Sequence, residues 1–131
     1  MKYNSHGDFE IKVEDNTIKI TVNFAWNKEC ANEFVTSVKN VLENQMQASS
    51  FVVLCIIEEE WLPTSDSLSI FPKLTEWGVD KGMKKEAFLF KTRIAETLML
   101  ENLLAPLEES DCEFKSFKNE SEARSWLKSP K

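Results

Sequence analysis

The stretch Phe9-Glu10-Ile11-Lys12-Val13-Glu14 alternates strictly between apolar and polar residues. Thr17 to Phe24 does the same, with Ile18, Ile20, Val22 and Phe24 on one side and Lys19, Thr21 and Asn23 on the other. A period of two, interrupted only by Asp15-Asn16, predicts an antiparallel hairpin with one face on a core and one in water. The period then changes. Between Lys28 and about Met46, the residues Cys30, Ala31, Phe34, Val35, Val38, Val41, Leu42 and Met46 recur at helical spacing, behind Asn27 as a cap. Gln47-Ala48-Ser49-Ser50 breaks that helix.

Phe51 to Ile57 is apolar at every position and rich in β-branched residues. Such a run predicts a central strand covered on both faces. Glu58-Glu59-Glu60 ends it, and Trp61 to Ser67 reads as a loop with several candidate caps. A second helix is expected over about Ser69 to Lys81, with Pro72 in its first turn and Gly82 as its left-handed stop. A short strand follows from Glu86 to Lys91, then a third helix from Arg93 to about Leu104, capped by Thr92 and ended by Pro106. Cys112 to Phe117 is the last strand. Asn119, with Glu122 three residues on, opens a last helix with Ala123, Trp126 and Leu127 inward. The order is ββαβαβαβα with four helices. Strands alternating with helices after a hairpin imply a mixed, mainly parallel sheet of about five strands.

The chain has 131 residues and a formal net charge of -6, which fits one domain over 1–131 with loose ends at 1–7 and 129–131. No basic stripe offsets the charge, so nucleic acid is not an expected partner. The densest basic piece, Lys81, Lys84 and Lys85, runs straight into Glu86 and reads as a solvated turn. Three glycines, Gly7, Gly78 and Gly82, are too few and too scattered for a dinucleotide or phosphate loop. Cys30, Cys55 and Cys112 are odd in number, widely spaced and set among apolar neighbours, which predicts buried free thiols in a reducing compartment. His6 is the one histidine, so no nucleophile–base pair can be assembled from it and a core cysteine. No run approaches the roughly 20 apolar residues needed to span a bilayer. A soluble, cytoplasmic protein without a cofactor is expected.

The order of motifs resembles the SpoIIAA-like (STAS-like) family over about Gly7 to Leu127. The residues that carry the resemblance are Gly7-Asp8-Phe9-Glu10-Ile11, Trp26-Asn27, the apolar strand followed by Trp61-Leu62-Pro63-Thr64, Trp77-Gly78 with Lys81-Gly82-Met83, and Phe117 with Glu122-Ala123-Arg124-Ser125-Trp126-Leu127. The resemblance implies a βα superhelical sheet of about five strands, like that of anti-sigma-factor antagonists and lipid-carrying Sec14 (CRAL-TRIO) domains. It implies a regulatory or binding module rather than an enzyme. The implied partner is a protein or a small nonpolar molecule, with a homodimer left open.

Candidate binding residues follow from three features. In parallel sheets, ligands gather at the carboxyl ends of the strands. Trp26, Asn27, Trp61 and Arg93 fall there, against the plainer reading that both indoles only cover the sheet end while Glu58 to Glu60 pair with Lys91 and Arg93. Thr64, Ser65, Asp66 and Ser67 precede the second helix, where related antagonist domains carry a phosphorylated serine. The antagonist pattern Asp-Ser-x-Gly is not met, because Asp66-Ser67-Leu68-Ser69 lacks the glycine, and Ser65, Asp66 and Ser67 read more simply as ordinary caps. The third helix adds Leu98 and Met99 within a stripe of Ile94, Ala95, Leu100, Leu103, Leu104 and Leu107 that is wider than one buried face needs. That width admits an apolar groove for a lipophilic ligand or a partner helix. Glu58 to Glu60 make a weak metal or acid–base candidate, because neighbours on a strand face opposite ways and no histidine supports them.

Overall fold

The computed structural model describes residues 8–46 and 49–130. The expected loose segment 1–7 with His6, the helix break at Gln47-Ala48, the end at 131 and the side chain of Leu104 lie outside the described residues. The hairpin pairs β1 (Asp8–Glu14) with β2 (Thr17–Asn23) in the register Asp8↔Asn23 to Glu14↔Thr17. Asp15 turns it with φ 58°. β2 runs parallel to β4 (Phe51–Ile57), which pairs with β6 (Met83–Phe90), and β6 with β7 (Glu113–Phe117). The five-stranded sheet thus has the order β1-β2-β4-β6-β7. Two short strands, β3 (Ala25–Trp26) and β5 (Leu62–Pro63), pair beside it.

β4 is buried at all seven positions, as its composition predicts. Phe51, Val53, Cys55 and Ile57 face a core shared with α1 (Lys28–Gln45), α3 (Ile70–Asp80) and α4 (Arg93–Glu108). Val52, Leu54 and Ile56 face a smaller core under α5 (Glu120–Lys128). The side chain of Asn27 caps α1 through the Cys30 amide, Thr92 caps α4 through Ala95, and Asn119 caps α5 through Glu122. Gly82 has φ 115°, and a Cβ there would stand 2.2 Å from the Ser49 carbonyl oxygen, so both backbone angle and space require glycine.

Four expectations shift. Phe24 does not point inward: it is 46 % exposed with φ 60°, because the chain turns sharply after Asn23 to bring Trp26 into the core instead. The second helix is split into a single turn, α2 (Ser65–Leu68), and α3, which meet at Ser69. Among the described residues this makes five helices rather than four. Pro106 does not end α4, which runs on to Glu108 because Leu103 and Leu107 anchor its last turns in the core. Finally, of Lys81, Lys84 and Lys85, read as a solvated turn, the first two are exposed but Lys85 is not. β6 begins at Met83, so Lys85 and Glu86 enter the sheet and are buried on opposite faces.

Candidate functional site

The expected rim at the carboxyl ends of the strands is a packed aromatic plug. Trp26 and Trp61 are both buried, with ring centroids 5.9 Å apart. Trp26 also stacks on Phe71 and tilts against Phe34, and its Nε1 donates to the Asp8 carbonyl at 3.1 Å. The Trp61 Nε1 is buried without an acceptor among the described residues. The β3–β5 pair holds the two indoles together, with the Thr64 amide donating to the Trp26 carbonyl. Asn27 is spent as a cap. Thr64 caps α2, and the fully buried Ser67 hydroxyl donates back to the Thr64 carbonyl at 2.8 Å. Ser65 is exposed, as is Arg93. Glu58 to Glu60 form no ion pair with Lys91 or Arg93 among the described residues. On α4, Ile94 is exposed and Leu98 half-buried, while Ala95, Met99, Leu103 and Leu107 turn inward at intervals of four.

Behind the plug lies a cavity of about 60 Å³ between the sheet and helices α1, α3 and α4. Phe34 and Phe71 belong to both, so the plug forms one end wall. Val53, Cys55 and Phe88 make its floor, and Met99 and Leu103 one side. Leu42, Leu74 and Trp77 are only half-buried, which puts the solvent side between α1 and α3. The Nζ atoms of Lys39 and Lys81 lie 5.3 and 5.7 Å from the Trp77 ring centroid at that side. Of the nine residues singled out from the sequence, Met99 alone lines the cavity.

One acidic group stands in this apolar space. Glu86 lies on β6 in phase with Phe88 and is 8 % exposed. Its Oε1 is buried without a hydrogen-bond partner among the described residues. Removal from water pushes its carboxyl up to about 8, so it is chiefly the neutral acid at pH 7. The neighbouring Cys55 thiol is raised as well, first by burial and then by the Glu86 charge. A thiol held protonated is a poor nucleophile and packs as a small apolar group.

Neither a family model nor a curated protein matches the chain. A solved structure does. The crystal structure of an uncharacterized DUF3478-family protein from Shewanella loihica, described as having a SpoIIAA-like fold, aligns over 97 % of this chain and 98 % of its own. The TM-score is 0.64 at 14 % sequence identity. The chain has a SpoIIAA-like fold. That likeness, at this identity, concerns the path of the backbone and not the site.

Within the SpoIIAA-like fold, the cavity sits on the face of β4 and β6 covered by three helices, and α5 covers the opposite face. Lys85 marks the contrast. It points to the α5 side, where its Nζ donates to the Trp126 carbonyl at 2.9 Å and to the Ser129 carbonyl and hydroxyl at 2.7 and 2.8 Å. Ser129, assigned from sequence to a loose end, is therefore tied to the sheet. Glu86 escaped notice because Lys84-Lys85-Glu86 reads as a hydrophilic patch. The available signal was phase: within the strand read from Glu86, that residue alternates with Ala87 and shares a face with Phe88 and Phe90. Among the described residues no helix is long and apolar enough to cross a membrane, and no cluster of ligating side chains suits a metal.

Proposed function

We propose that this chain is a non-catalytic binding module whose occupant is a small nonpolar molecule held between the sheet and α1, α3 and α4. The observation that carries this reading is the cavity itself, an apolar space with a half-open side on a fold whose resemblances are to binding and regulatory domains. A SpoIIAA-like fold suits regulation through a protein partner equally well as a class. The loop that would serve it here offers less, because the Ser67 hydroxyl is buried and already bonded, which leaves Ser65 as the accessible serine.

Native mass spectrometry of the freshly purified chain tests the proposal. We expect a fraction heavier than the 15.1 kDa chain by one small molecule, and its loss on extraction with organic solvent. Val38 lines the cavity, and Val38→Phe should fill it and return the bare mass while the fold persists, since overpacking of this size costs about 1–3 kcal/mol. A bare mass for the parent chain, unchanged after incubation with medium-chain ketones and alkyl halides, would overturn the reading.

A further inference from the structure

Polar atoms inside a protein are almost always hydrogen-bonded, so an exception asks for a cause. Glu86 Oε1 is one of two buried side-chain polar atoms without a partner among the described residues, and it belongs to a residue that lines the cavity. Glu86 shares that space with Ile18 and Ile20 from β2, Val53 and Cys55 from β4, Thr75 from α3 and Met99 from α4. No cationic side chain lines the space, so the carboxyl is not half of an ion pair. A structural acid of this kind is replaceable by an apolar residue of similar shape with no loss of stability, and is not explained by packing.

We propose that Glu86 is the polar anchor of this pocket, donating a hydrogen bond to the carbonyl oxygen of an uncharged and otherwise apolar ligand. The proposal rests on the reading of the cavity as a binding site and names the ligand class that reading leaves open. A charged ligand would have to be desolvated among Phe34, Phe71 and Phe88, at a cost far above that of a neutral one. The neutral acid, present at pH 7 because burial raises the group to about 8, supplies the single donor that a carbonyl oxygen accepts. The cavity is small beside the 150 Å³ void known to take benzene. The occupant is therefore narrow, with its oxygen at Glu86 and its chain leading out past Leu74 and Trp77.

The test uses two probes of equal heavy-atom count, 2-heptanone and 1-chloroheptane, titrated into the full chain at pH 6.5 and followed by amide chemical shifts of Gly78 and Met83. Three proteins are compared: the parent, Glu86→Met, which keeps the shape and removes the donor, and Glu86→Gln, which keeps a donor. We expect 2-heptanone to bind the parent and Glu86→Gln within about threefold of each other, and to bind Glu86→Met about tenfold more weakly, the worth of one hydrogen bond. 1-Chloroheptane should bind all three alike. If both probes bind and Glu86→Met weakens neither selectively, the anchor is wrong and the pocket reading stands. If neither probe binds the parent, the space takes water only, and both fail.

Discussion

Glu86 and Lys85 are adjacent in the chain and meet opposite fates of burial. Around Lys85 Nζ, three oxygens from the end of α5 take the place of water. Glu86 finds no such set and gives up its charge instead. The consequence for stability has a definite sign. In the unfolded chain the carboxyl ionises near its ordinary value of 4.5, whereas in the fold it holds its proton to about 8. Between these values the unfolded state binds fewer protons, so stability falls as pH rises through that window. The full difference is on the order of 5 kcal/mol for a group this buried. Glu86→Gln should flatten the fall, so that urea midpoints of variant and parent diverge steadily from pH 5 to pH 8. Parallel midpoint curves would contradict the buried neutral acid. Glu120, held low chiefly by its hydrogen bond from Arg124, titrates below this window and does not blur it.

At the scale of elements, most of what is seen was legible in the chain. The boundaries of β4 are those of its apolar run, and Asn27, Thr92 and Asn119 cap the helices their positions announce. Elements whose signals were local were found, because a cap or a period acts through neighbours a few residues away. Those that depend on distant partners were missed or cut short. β5 exists only because Leu62 and Pro63 lie beside Ala25 and Trp26, and β6 begins at Met83 with Lys85 and Glu86 polar in sequence yet buried in fact. The docking of α5 is the plainest case, since Lys85 reaches across 41 and 44 residues to hold its end. Lys85→Met should remove these charged hydrogen bonds and lower stability by about 2 kcal/mol, with Trp126 fluorescence moving towards that of exposed indole. Lys84→Met, at an exposed position of the same strand, should change the urea midpoint by less than about 0.5 kcal/mol equivalent. Equal effects from the two would show that Lys85 does not clamp α5.

At the scale of the molecule, the sheet separates a large core from a small one. The inner strands β4 and β6 are paired on both sides and covered above and below. Their amides open only with the whole fold, so hydrogen exchange should be slowest there, at rates set by global unfolding. The β3–β5 pair has two residues on each side and should exchange orders of magnitude faster. Early exchange in β4 would mean that the cavity loosens the core more than its walls suggest.

The amino-acid sequence by itself determined the order of elements, the identity of the central strand and the class of fold, because each rests on periodicity and on capping within a few residues. It also determined that Cys30, Cys55 and Cys112 are buried thiols, since their neighbours are apolar. Only the tertiary structure decided where the cavity lies and which side chains line it. Its walls come from six elements, β2, α1, β4, α3, β6 and α4, and their juxtaposition leaves no mark in any one stretch of chain. The same holds for Lys85 and Glu86. Local chemistry makes them hydrophilic, and only the helices packed on either face of β6 decide that Lys85 is bonded by three oxygens while Glu86 gives up its charge among carbons.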